Sequence, residues 1–555
     1  MNSANNGLKA AQDSEAFALE VRDLVVRTCG DPGRDIVQKV SFNIRAGETL
    51  CVVGESGSGK SVSSFAIMGL LPPDSLRVTG GSVLVNGEDV LRATPARLRE
   101  LRATRMAMVF QEPMTALNPV ESVGQQIDEV LCLHMDMDRA ARRARVLEML
   151  AAVHLPDPQR IYASFPHQLS GGQRQRVVIC MALILQPRLL IADEPTTALD
   201  VTTQKQILKL IRELQVKHNT AVLFITHDFG VVAEIADRVV VMNRGQVVES
   251  APRATILSNP GEDYTRMLVS SVPSLIPVPR AANTADIVLE IKDLSKTYEE
   301  RRLMRRRAVV AAQGINLTLR RGEILGVVGE SGSGKSTVAR CVARLHEPTG
   351  GVIRVHGENI AHQRGERLRQ MRRRVQMVFQ DPYRSLNPRM SIGDALIEGL
   401  NNYDADRRLA RERATELLDL VGLEAGAMAR YPHQFSGGQR QRICIARALM
   451  LEPDILVADE AVSALDVSVQ AQVLRLLDEV RARTGVALLF VTHDLRVAAQ
   501  ICDTIMVMQK GRVVESGSAM DVLTAPQDDY TRSLLDAAPG RHWDFQQFRP
   551  IKVEN

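Results

Sequence analysis

The sequence predicts an α/β protein built from two tandem copies of one domain. The octapeptide GESGSGKS occurs at residues 54–61 and again at 329–336, each time between a predicted β-strand and a predicted apolar helix. Three further motifs follow in the same order in both halves: SGGQRQR at 170–176 and 436–442, ADE at 192–194 and 458–460, and THD at 226–228 and 492–494. Motifs that recur in one order at near-constant spacing indicate a duplicated domain.

The boundary between the copies is predicted at a proline-containing segment. Residues 271–287 contain three prolines among small and polar residues, which is typical of an extended, semi-rigid linker. At ~3.1 Å per residue this linker spans roughly 50 Å, enough to set two domains side by side. We therefore expect domains at 17–270 and 288–540, with poorly ordered tails at 1–16 and 541–555.

Composition excludes several classes of protein. The 555 residues carry a formal net charge of +4, so nothing suggests a nucleic-acid binder. The seven cysteines are scattered without metal-ligand spacing, which favours buried thiols in a reducing compartment over disulfides or a zinc site. The N-terminus does not resemble a signal peptide, and no apolar stretch approaches the ~20 residues of a spanning helix. We expect a cytoplasmic protein that reaches any membrane through partners.

The octapeptide predicts a phosphate-binding loop. The first copy lies between a strand at 48–53 and a helix at 62–71, and the second lies between 323–328 and 337–345. Glycines let backbone N–H groups close around phosphate oxygens, lysine reaches the outer phosphates, and the following serine can bind Mg²⁺. A chance glycine-rich turn is the alternative, and two complete matches in context weigh against it. The expected nucleotide-binding residues are Gly54, Ser56, Gly57, Ser58, Gly59, Lys60 and Ser61, then Gly329, Ser331, Gly332, Ser333, Gly334, Lys335, Ser336 and Thr337, with Ser61 and Ser336 also as metal ligands.

Polar side chains end two later strands in each copy. One strand ends in an acidic pair, Asp193-Glu194 or Asp459-Glu460. The first carboxylate of each pair can hold Mg²⁺ through water, and the second can orient or deprotonate an attacking water. A strand that simply ends in surface acids is the alternative. The other strand ends at His227 or His493, and because such ends face the ligand crevice of an open α/β sheet, a contact to the γ-phosphate is favoured over a structural role.

The SGGQRQR segments open a further apolar helix in each copy. Ser170, Gly171 and Gly172, like Ser436, Gly437 and Gly438, thus create a second anion-binding helix end. Since each phosphate-binding loop already holds its own nucleotide, these helix ends are expected to bind phosphate held by another domain.

This motif resembles the signature of the ABC ATPases, and the resemblance covers nearly the whole chain. It implies two tandem P-loop NTPase (ABC ATPase) domains, each with a RecA-like core and a helical subdomain, that hydrolyse ATP with Mg²⁺. It implies head-to-tail pairing, in which Lys60 shares an ATP with Ser436 and Lys335 shares one with Ser170. Position by position, it implies Q-loop glutamines Gln111 and Gln380 at the nucleotide and the metal, signature glutamines Gln173 and Gln439, metal ligands Asp193 and Asp459, catalytic residues Glu194, Glu460, His227 and His493, and D-loop aspartates Asp200 and Asp466.

Two further features resemble the oligopeptide/dipeptide/nickel permease subfamily, in a fused two-domain form. These are the segments after each Q-loop glutamine and the Tyr-Thr-Arg-x-Leu elements at 264–268 and 530–534. The resemblance implies an ATPase for a peptide or glutathione importer, with nickel or another small solute as alternative cargo. It implies two transmembrane permease subunits, a solute-binding protein reached through the assembled transporter, and a place at the cytoplasmic face of the bacterial inner membrane. Relatives of the first half often hold an iron–sulfur cluster on cysteines after the domain. That stretch has no cysteine here, so no cluster is expected.

A second class, twin ABC proteins that act on ribosomes, has a similar length and domain count. Its members carry a long charged helical linker and the D-loop signature NHLD. Here the linker is short and proline-rich, and the D-loops read ALD at 198–200 and 464–466. The sequence therefore favours the importer.

Two local features lead to separate expectations. The basic run at 301–307 is expected in a solvated loop between early strands of the second domain, with binding of lipid headgroups or nucleic acid as the alternative. Aligning Asp23 with Asp293 places Tyr298 opposite Thr28. In ABC domains an aromatic at this position stacks on adenine, so Tyr298 is expected to bind nucleotide and the two sites are expected to differ.

Overall fold

A computed structural model describes most of the chain. The described residues are 17–30, 33–111, 113–197, 199–302, 305–403, 406–463 and 465–551. The predicted N-terminal tail, 1–16, lies outside them, as do 552–555. The described residues divide into two compact units, one of 17–199, 203–270 and 542–551 and the other of 200–202 and 271–541.

The first unit alternates strands and helices. In chain order its strands are β1 (Leu19–Thr28), β2 (Asp35–Ile44), β3 (Thr49–Val53), β4 (Leu76–Val85), β5 (Glu88–Asp89), β6 (Met106–Val109), β7 (Leu189–Asp193), β8 (Ala221–Thr226), β9 (Arg238–Asn243) and β10 (Gln246–Pro252). Its helices are α1 (Lys60–Met68), α2 (Pro95–Thr104), α3 (Pro113–Ala116), α4 (Val123–His134), α5 (Arg139–Ala152), α6 (Pro158–Ala163), α7 (Gly171–Leu183), α8 (Val201–His218), α9 (Phe229–Ile235), α10 (Arg253–Ser258) and α11 (Asp263–Ser270).

Strands β1 to β10 form two sheets. An antiparallel sheet has the order β2-β1-β4-β5, and a larger sheet has the order β10-β9-β3-β8-β7-β6, parallel except for β10 at its edge. Every residue of β3, β7 and β8 is buried, because parallel strands are covered on both faces. One apolar cluster, which includes Leu19, Val40, Ile67 and Leu223, joins both sheets to α1. Helices α4 to α7 pack against one another.

The second unit repeats this plan. Its strands are β11 (Ile287–Arg302), β12 (Arg305–Arg320), β13 (Ile324–Val328), β14 (Gly350–Val355), β15 (Glu358–Asn359), β16 (Val375–Val378), β17 (Ile455–Asp459), β18 (Ala487–Val491), β19 (Thr504–Gln509) and β20 (Arg512–Ser518). Its helices are α12 (Lys335–Val342), α13 (Gly365–Arg374), α14 (Pro382–Ser385), α15 (Ile392–Asn401), α16 (Arg407–Leu420), α17 (Gly437–Leu449), α18 (Val467–Thr484), α19 (Leu495–Ile501), α20 (Ala519–Thr524) and α21 (Asp529–Ala537). The sheet orders, β12-β11-β14-β15 and β16-β17-β18-β13-β19-β20, match those of the first unit strand for strand.

The helix after each phosphate-binding loop begins earlier than predicted. Helix α1 starts at Lys60 rather than at residue 62, because Gly59 (φ 98°) forms its N-terminal cap. It ends at Met68 because Gly69 follows in the left-handed conformation, with φ 64°. The loop lysine therefore occupies the first turn of the helix.

The sequence predicted a solvated loop for the basic run 301–307, but its described residues lie in two strands. Strand β11 continues to Arg302 and β12 begins at Arg305, and the antiparallel register pairs Arg301 with Arg306. Residues 303–304 lie outside the described residues. The described residues of the run occupy paired strand ends, because the ladder of the first two strands extends as far as the pair Arg302 and Arg305.

The proline-rich linker makes hydrogen bonds with other residues of the second unit. The Val278 N–H donates to the Ala499 carbonyl at 3.1 Å. The Arg280 guanidinium donates to Asp478 at 3.2 Å and lies 3.7 Å from Asp503. These contacts hold the linker at residues 278–280.

The C-terminal segment also differs from the predicted tail. Strands β21 (Trp543–Asp544) and β22 (Arg549–Pro550) form a short antiparallel pair. Phe545, between them, is buried. The burial of this ring anchors the segment, which belongs to the first unit.

Candidate functional site

The phosphate-binding loop connects β3 to α1 in the first unit. Gly54 has φ 153°, and a Cβ there would lie 2.2 Å from the Met242 carbonyl oxygen. Gly329, with φ 148°, would meet Met508 in the same way at 2.2 Å. No other residue fits either position, because both the conformation and the space exclude a side chain. The remaining loop residues predicted from the sequence follow in both copies: Ser56, Gly57, Ser58 and Gly59, and Ser331, Gly332, Ser333 and Gly334.

The loop lysine is buried and folds back on the loop. Lys60 Nζ donates to the carbonyl oxygens of Gly54 at 2.7 Å and Glu55 at 2.9 Å. This arrangement holds an ammonium group over the loop, where outer phosphates are expected.

Lys335 makes the same contacts in the second unit. Its Nζ donates to Gly329 at 2.7 Å and to Glu330 at 2.8 Å. Burial lowers the pKa of Lys335, although the carboxylates of Glu460 and Asp459 oppose that shift. The group therefore depends on nearby negative charge, which a phosphate would add.

The next residue forms the candidate metal position. The Ser61 hydroxyl donates to Asp193 Oδ1 at 3.1 Å, and the Ser336 hydroxyl donates to Asp459 Oδ1 at 2.8 Å. Burial raises the pKa of Asp193 to about 6, partly offset by the Ser61 hydrogen bond. Burial also raises the pKa of Asp459. Hard oxygen donors so placed fit Mg²⁺, which often binds one or two protein oxygens and completes its shell with phosphates and water.

The described residues hold no preformed metal cluster of another kind. Within the described ranges, no group of three or more His, Cys, Asp or Glu side chains is placed to bind a metal ion. Five of the seven cysteines are buried, as the sequence predicted, and Cys29 and Cys132 are exposed. Among the helices of these ranges, none is both long enough and apolar enough to cross a bilayer.

Glu194 follows β7 directly and has an unusual backbone. Its φ is 47°, a left-handed value that non-glycine residues rarely adopt, and its N–H donates to the Ile225 carbonyl at 3.0 Å. The turn brings its carboxylate to Gln111 Nε2, which donates at 3.0 Å, and to His227 Nδ1 at 3.2 Å. Gln111 and His227, predicted from two other motifs, therefore both contact the Glu194 carboxylate.

Glu460 is built in the same way after β17. Its φ is 50°, and its N–H donates to the Val491 carbonyl at 3.0 Å. Gln380 Nε2 donates to its carboxylate at 2.9 Å, and His493 Nδ1 lies 3.5 Å away. In both units, therefore, a glutamate with a left-handed backbone places its carboxylate beside a glutamine and a histidine.

Electrostatics keep both glutamates ionised. Burial alone would raise the pKa of Glu194, but hydrogen bonding and charge from His227 lower it below the ordinary value. The same balance, with His493, lowers the pKa of Glu460. Burial opposes charge on His493, yet Glu460 raises its pKa above the usual value. An ionised carboxylate is the form that a general base requires.

Sequence reasoning missed one hydroxyl in each site. Thr197 Oγ1 donates to Glu194 Oε2 at 3.0 Å. Ser463, at the same place in the second copy, donates to the Glu460 carbonyl at 3.0 Å and lies 3.5 Å from Gln380 Nε2. Aligning the two copies would have found them, because both keep a hydroxyl three residues after the glutamate.

The signature segments cap α7 and α17. The Ser170 hydroxyl accepts from the Gln173 N–H at 3.3 Å, and the Gln173 side chain accepts from the Ser170 N–H at 3.0 Å. Ser436 and Gln439 form the same reciprocal cap. Helix α7 begins with Gly171 and Gly172, and helix α17 begins with Gly437 and Gly438. The D-loop residue Asp466 forms the N-terminal cap of α18, and Asp200 accepts from the Thr202 hydroxyl at 2.8 Å.

Tyr298 lies in β11, and its ring is half-buried. His346 meets that ring edge-on at 5.7 Å, and Lys296 Nζ lies 5.1 Å from the ring centre. Thr28 ends β1. The alignment that relates them rests on Asp23 and Asp293, and both of these aspartates have a left-handed φ, 47° and 50°.

Comparison with known proteins adds two family matches. The model of the ABC transporter family matches residues 37–197 and 312–463. The model of the oligopeptide/dipeptide transporter C-terminal region matches residues 248–308.

Three curated relatives match almost the whole chain. The glutathione import ATP-binding protein GsiA of Pectobacterium atrosepticum is 45% identical over 560 residues, covering 95% of this chain and 90% of that protein. The peptidoglycan transport ATP-binding protein YejF of Agrobacterium fabrum is 45% identical over 528 residues, covering 94% and 96%. The GsiA protein of Escherichia coli K12 is 45% identical over 537 residues, covering 91% and 86%.

Proposed function

The chain belongs to the ABC transporter family, in which such ATP-binding proteins are ATPases, and we propose that it powers a peptide importer. The cargo class is the dipeptide, oligopeptide or glutathione class. The observation that supports it is 45% identity, over nearly the full length of both chains, to a protein named for glutathione import. The match to an oligopeptide/dipeptide transporter region points to the same class.

The ATP sites are assigned to the two phosphate-binding loops and the residues around them. Lys60 and Lys335 bind the outer phosphates from their places on the loop carbonyls, because an ammonium group that donates to two carbonyls still has a third N–H to donate. Ser61 with Asp193, and Ser336 with Asp459, hold Mg²⁺, helped by Gln111 and Gln380. Bound Mg²⁺ neutralises charge that develops on the phosphates.

Hydrolysis depends on the buried glutamates. Glu194 or Glu460 accepts the proton of the water that attacks the γ-phosphorus, and its lowered pKa keeps it ready to do so. His227 and His493 hold these carboxylates in place and contact the γ-phosphate. The bond from the γ-phosphorus to the bridging oxygen breaks, and ADP and phosphate leave.

We infer that each ATP is shared between the two domains. The capped helix ends at Ser170 and Ser436 present backbone N–H groups and a positive dipole end, and each loop already has its own helix end for its own phosphates. Lys60 is therefore paired with Ser436, and Lys335 with Ser170. The Gln173 and Gln439 side chains shape these ends through their caps.

The partners follow from the importer class. Two permease subunits place the chain at the cytoplasmic face of the bacterial inner membrane as a peripheral protein. The permeases carry the cargo and meet a solute-binding protein.

The test is uptake by the assembled transporter. The chain is co-purified with permeases encoded beside its gene and reconstituted into vesicles with the adjacent binding protein. ATP-dependent uptake of labelled glutathione and of dipeptides is expected, and Glu194→Gln or Glu460→Gln should keep ATP binding while lowering turnover ~10²-fold or more. Uptake of nickel alone would replace the cargo assignment. Recovery of ribosomes instead of permeases in a pull-down would replace the function.

A further inference from the structure

The Tyr-Thr-Arg-x-Leu elements at 264–268 and 530–534 form the same structure in both units. They lie at the start of α11 and α21, the helices that end each repeat. Thr265 and Leu268 are buried, as are Thr531 and Leu534. The element is therefore anchored in each core.

The arginine of the element closes the turn before its helix. Arg266 donates to the carbonyl oxygens of Pro260 at 3.1 Å and Gly261 at 2.7 Å. The Glu249 carboxylate accepts from the N–H groups of Gly261 at 2.8 Å and Glu262 at 3.2 Å. In the second unit, Arg532 and Glu515 make the corresponding contacts. Helix and turn form one rigid support for the tyrosine.

The tyrosine reaches the phosphate-binding loop. Tyr530 OH accepts from the Glu330 N–H at 3.1 Å. Tyr264 OH accepts from the Glu55 N–H at 3.4 Å and donates to the Glu55 carboxylate at 3.4 Å. Burial raises the pKa of Tyr530 to about 12, which keeps the phenol protonated.

The contacted N–H belongs to the peptide whose carbonyl holds the loop lysine. The Glu330 N–H and the Gly329 carbonyl are two ends of one planar unit, and Lys335 Nζ donates to that carbonyl at 2.7 Å. Because the unit is rigid, a hydrogen bond at its N–H end sets the direction of its carbonyl. The tyrosine thus determines where the lysine ammonium group is held. Glu55, Gly54 and Lys60 repeat this in the first unit.

We propose that Tyr264 and Tyr530 are positioning residues for ATP binding. Each sets the orientation of the first peptide of its phosphate-binding loop from outside the motif and so pre-organises the lysine for the phosphates. This inference rests on ATP binding at the loops. It assigns a role in nucleotide affinity to the C-terminal element of each repeat.

The test separates affinity from turnover. Tyr264→Phe and Tyr530→Phe remove only the hydroxyl. Each should weaken ATP binding at its own loop about 3- to 10-fold, the range of one neutral hydrogen bond, while the turnover rate at saturating ATP stays within about twofold. Site-resolved affinity is measured by photolabelling with 8-azido-ATP, followed by peptide mapping of each loop.

Matched variants distinguish positioning from packing. Tyr403→Phe removes a hydroxyl that donates to the Arg369 carbonyl at 2.7 Å in the second unit, and it should leave ATP affinity unchanged. Tyr530→Ala should weaken binding at least as much as Tyr530→Phe. If affinity falls only in the alanine variant, or if melting temperature falls in the phenylalanine variant while affinity does not, the positioning role is overturned. If the wild-type chain binds no ATP, the proposed function itself fails.

Discussion

At the residue scale, Glu194 and Glu460 are held in strained positions that serve their proposed chemistry. A left-handed backbone in a non-glycine residue costs on the order of 1–3 kcal/mol and persists only where surrounding contacts impose it. Here the N–H of each glutamate bonds to the neighbouring strand, and the carboxylate meets a glutamine and a histidine. The left-handed backbone thus places each carboxylate beside its glutamine and its histidine.

A pH dependence of stability follows from Asp193. Its folded-state pKa is raised to about 6 from 3.8, so the folded protein bears no penalty from this group below pH 3.8 and the full penalty above about pH 6. Asp193→Asn removes that charge and keeps the acceptor for Ser61. It should stabilise the nucleotide-free, Mg²⁺-free protein at pH 8 by roughly 1–3 kcal/mol, with a gain that shrinks as the pH falls toward 4. Thermal unfolding at several pH values measures it.

Asp459→Asn is the matched control for that experiment. The change should act in the same direction but more weakly, because Arg340 lies 4.0 Å from Asp459 and partly offsets the rise that burial causes in the pKa of that carboxyl. A gain that is constant between pH 5 and pH 8 would contradict the assignment.

The adenine contact is the second prediction at this scale. Stacking of a base on an aromatic side chain contributes roughly 1–3 kcal/mol, or about 5- to 150-fold in affinity. Tyr298→Ala should weaken nucleotide binding at the Lys335 loop alone, and Thr28→Tyr should strengthen it at the Lys60 loop. Two equal sites in the wild type, unchanged by either substitution, would exclude this asymmetry.

At the element scale, the signature helices depend on close packing as well as on their caps. A Cβ on Gly438 would lie 2.2 Å from Val469 Cγ1 in α18, and a Cβ on Gly172 would lie 2.4 Å from Thr203 Cγ2 in α8. The second glycine therefore lets the capped end of each helix approach its neighbour. The motif combines a steric requirement with the proposed phosphate contact.

This packing makes a rescue experiment possible. Gly438→Ala should destabilise the protein by about 1–3 kcal/mol and reduce ATP hydrolysis, because the new methyl group overlaps Val469. Val469→Ala removes the opposing atoms. In a Val469→Ala background, Gly438→Ala should therefore cost much less stability and much less ATPase activity than it does in the wild type. Unfolding and steady-state ATPase assays measure the cycle. Failure of the second change to restore either property would assign the glycine another role.

At the scale of the whole molecule, the fusion joins two units that each carry a complete set of proposed ATP-site residues. One chain raises the effective concentration of one unit for the other into the ~mM range. If every ATP is shared, nucleotide should draw the units together and hydrolysis should release them.

Cross-linking tests this closure. Cysteines are introduced next to Gly57 and next to Ser436, after the exposed Cys29 and Cys132 are replaced. A disulfide within one chain should form with ATP in the Glu194→Gln, Glu460→Gln background and fail to form without nucleotide. Placing the second cysteine next to Gly332 instead provides the control. Cross-linking that is independent of ATP would contradict closure.

The sequence by itself determined the family, the duplication and the contiguous parts of each site. The comparisons confirm the ABC family and the tandem fold. Loop glycines, lysine and serine are neighbours in sequence, and their chemistry depends on local conformation. The acidic pairs and histidines were recognisable because each ends an apolar strand. Gln111 and Gln380 needed the family resemblance, since an isolated glutamine in a loop carries no local signal.

Only the tertiary structure decided the contacts that join distant segments. The Tyr264 hydroxyl meets Glu55 across 209 residues, and the Tyr530 hydroxyl meets Glu330 across 200. Neither the attachment of the linker to the second unit nor the C-terminal hairpin of the first unit has a periodic or motif signal. Such contacts depend on where the sheet brings chain segments together in space, and that is set by the packing of the whole unit.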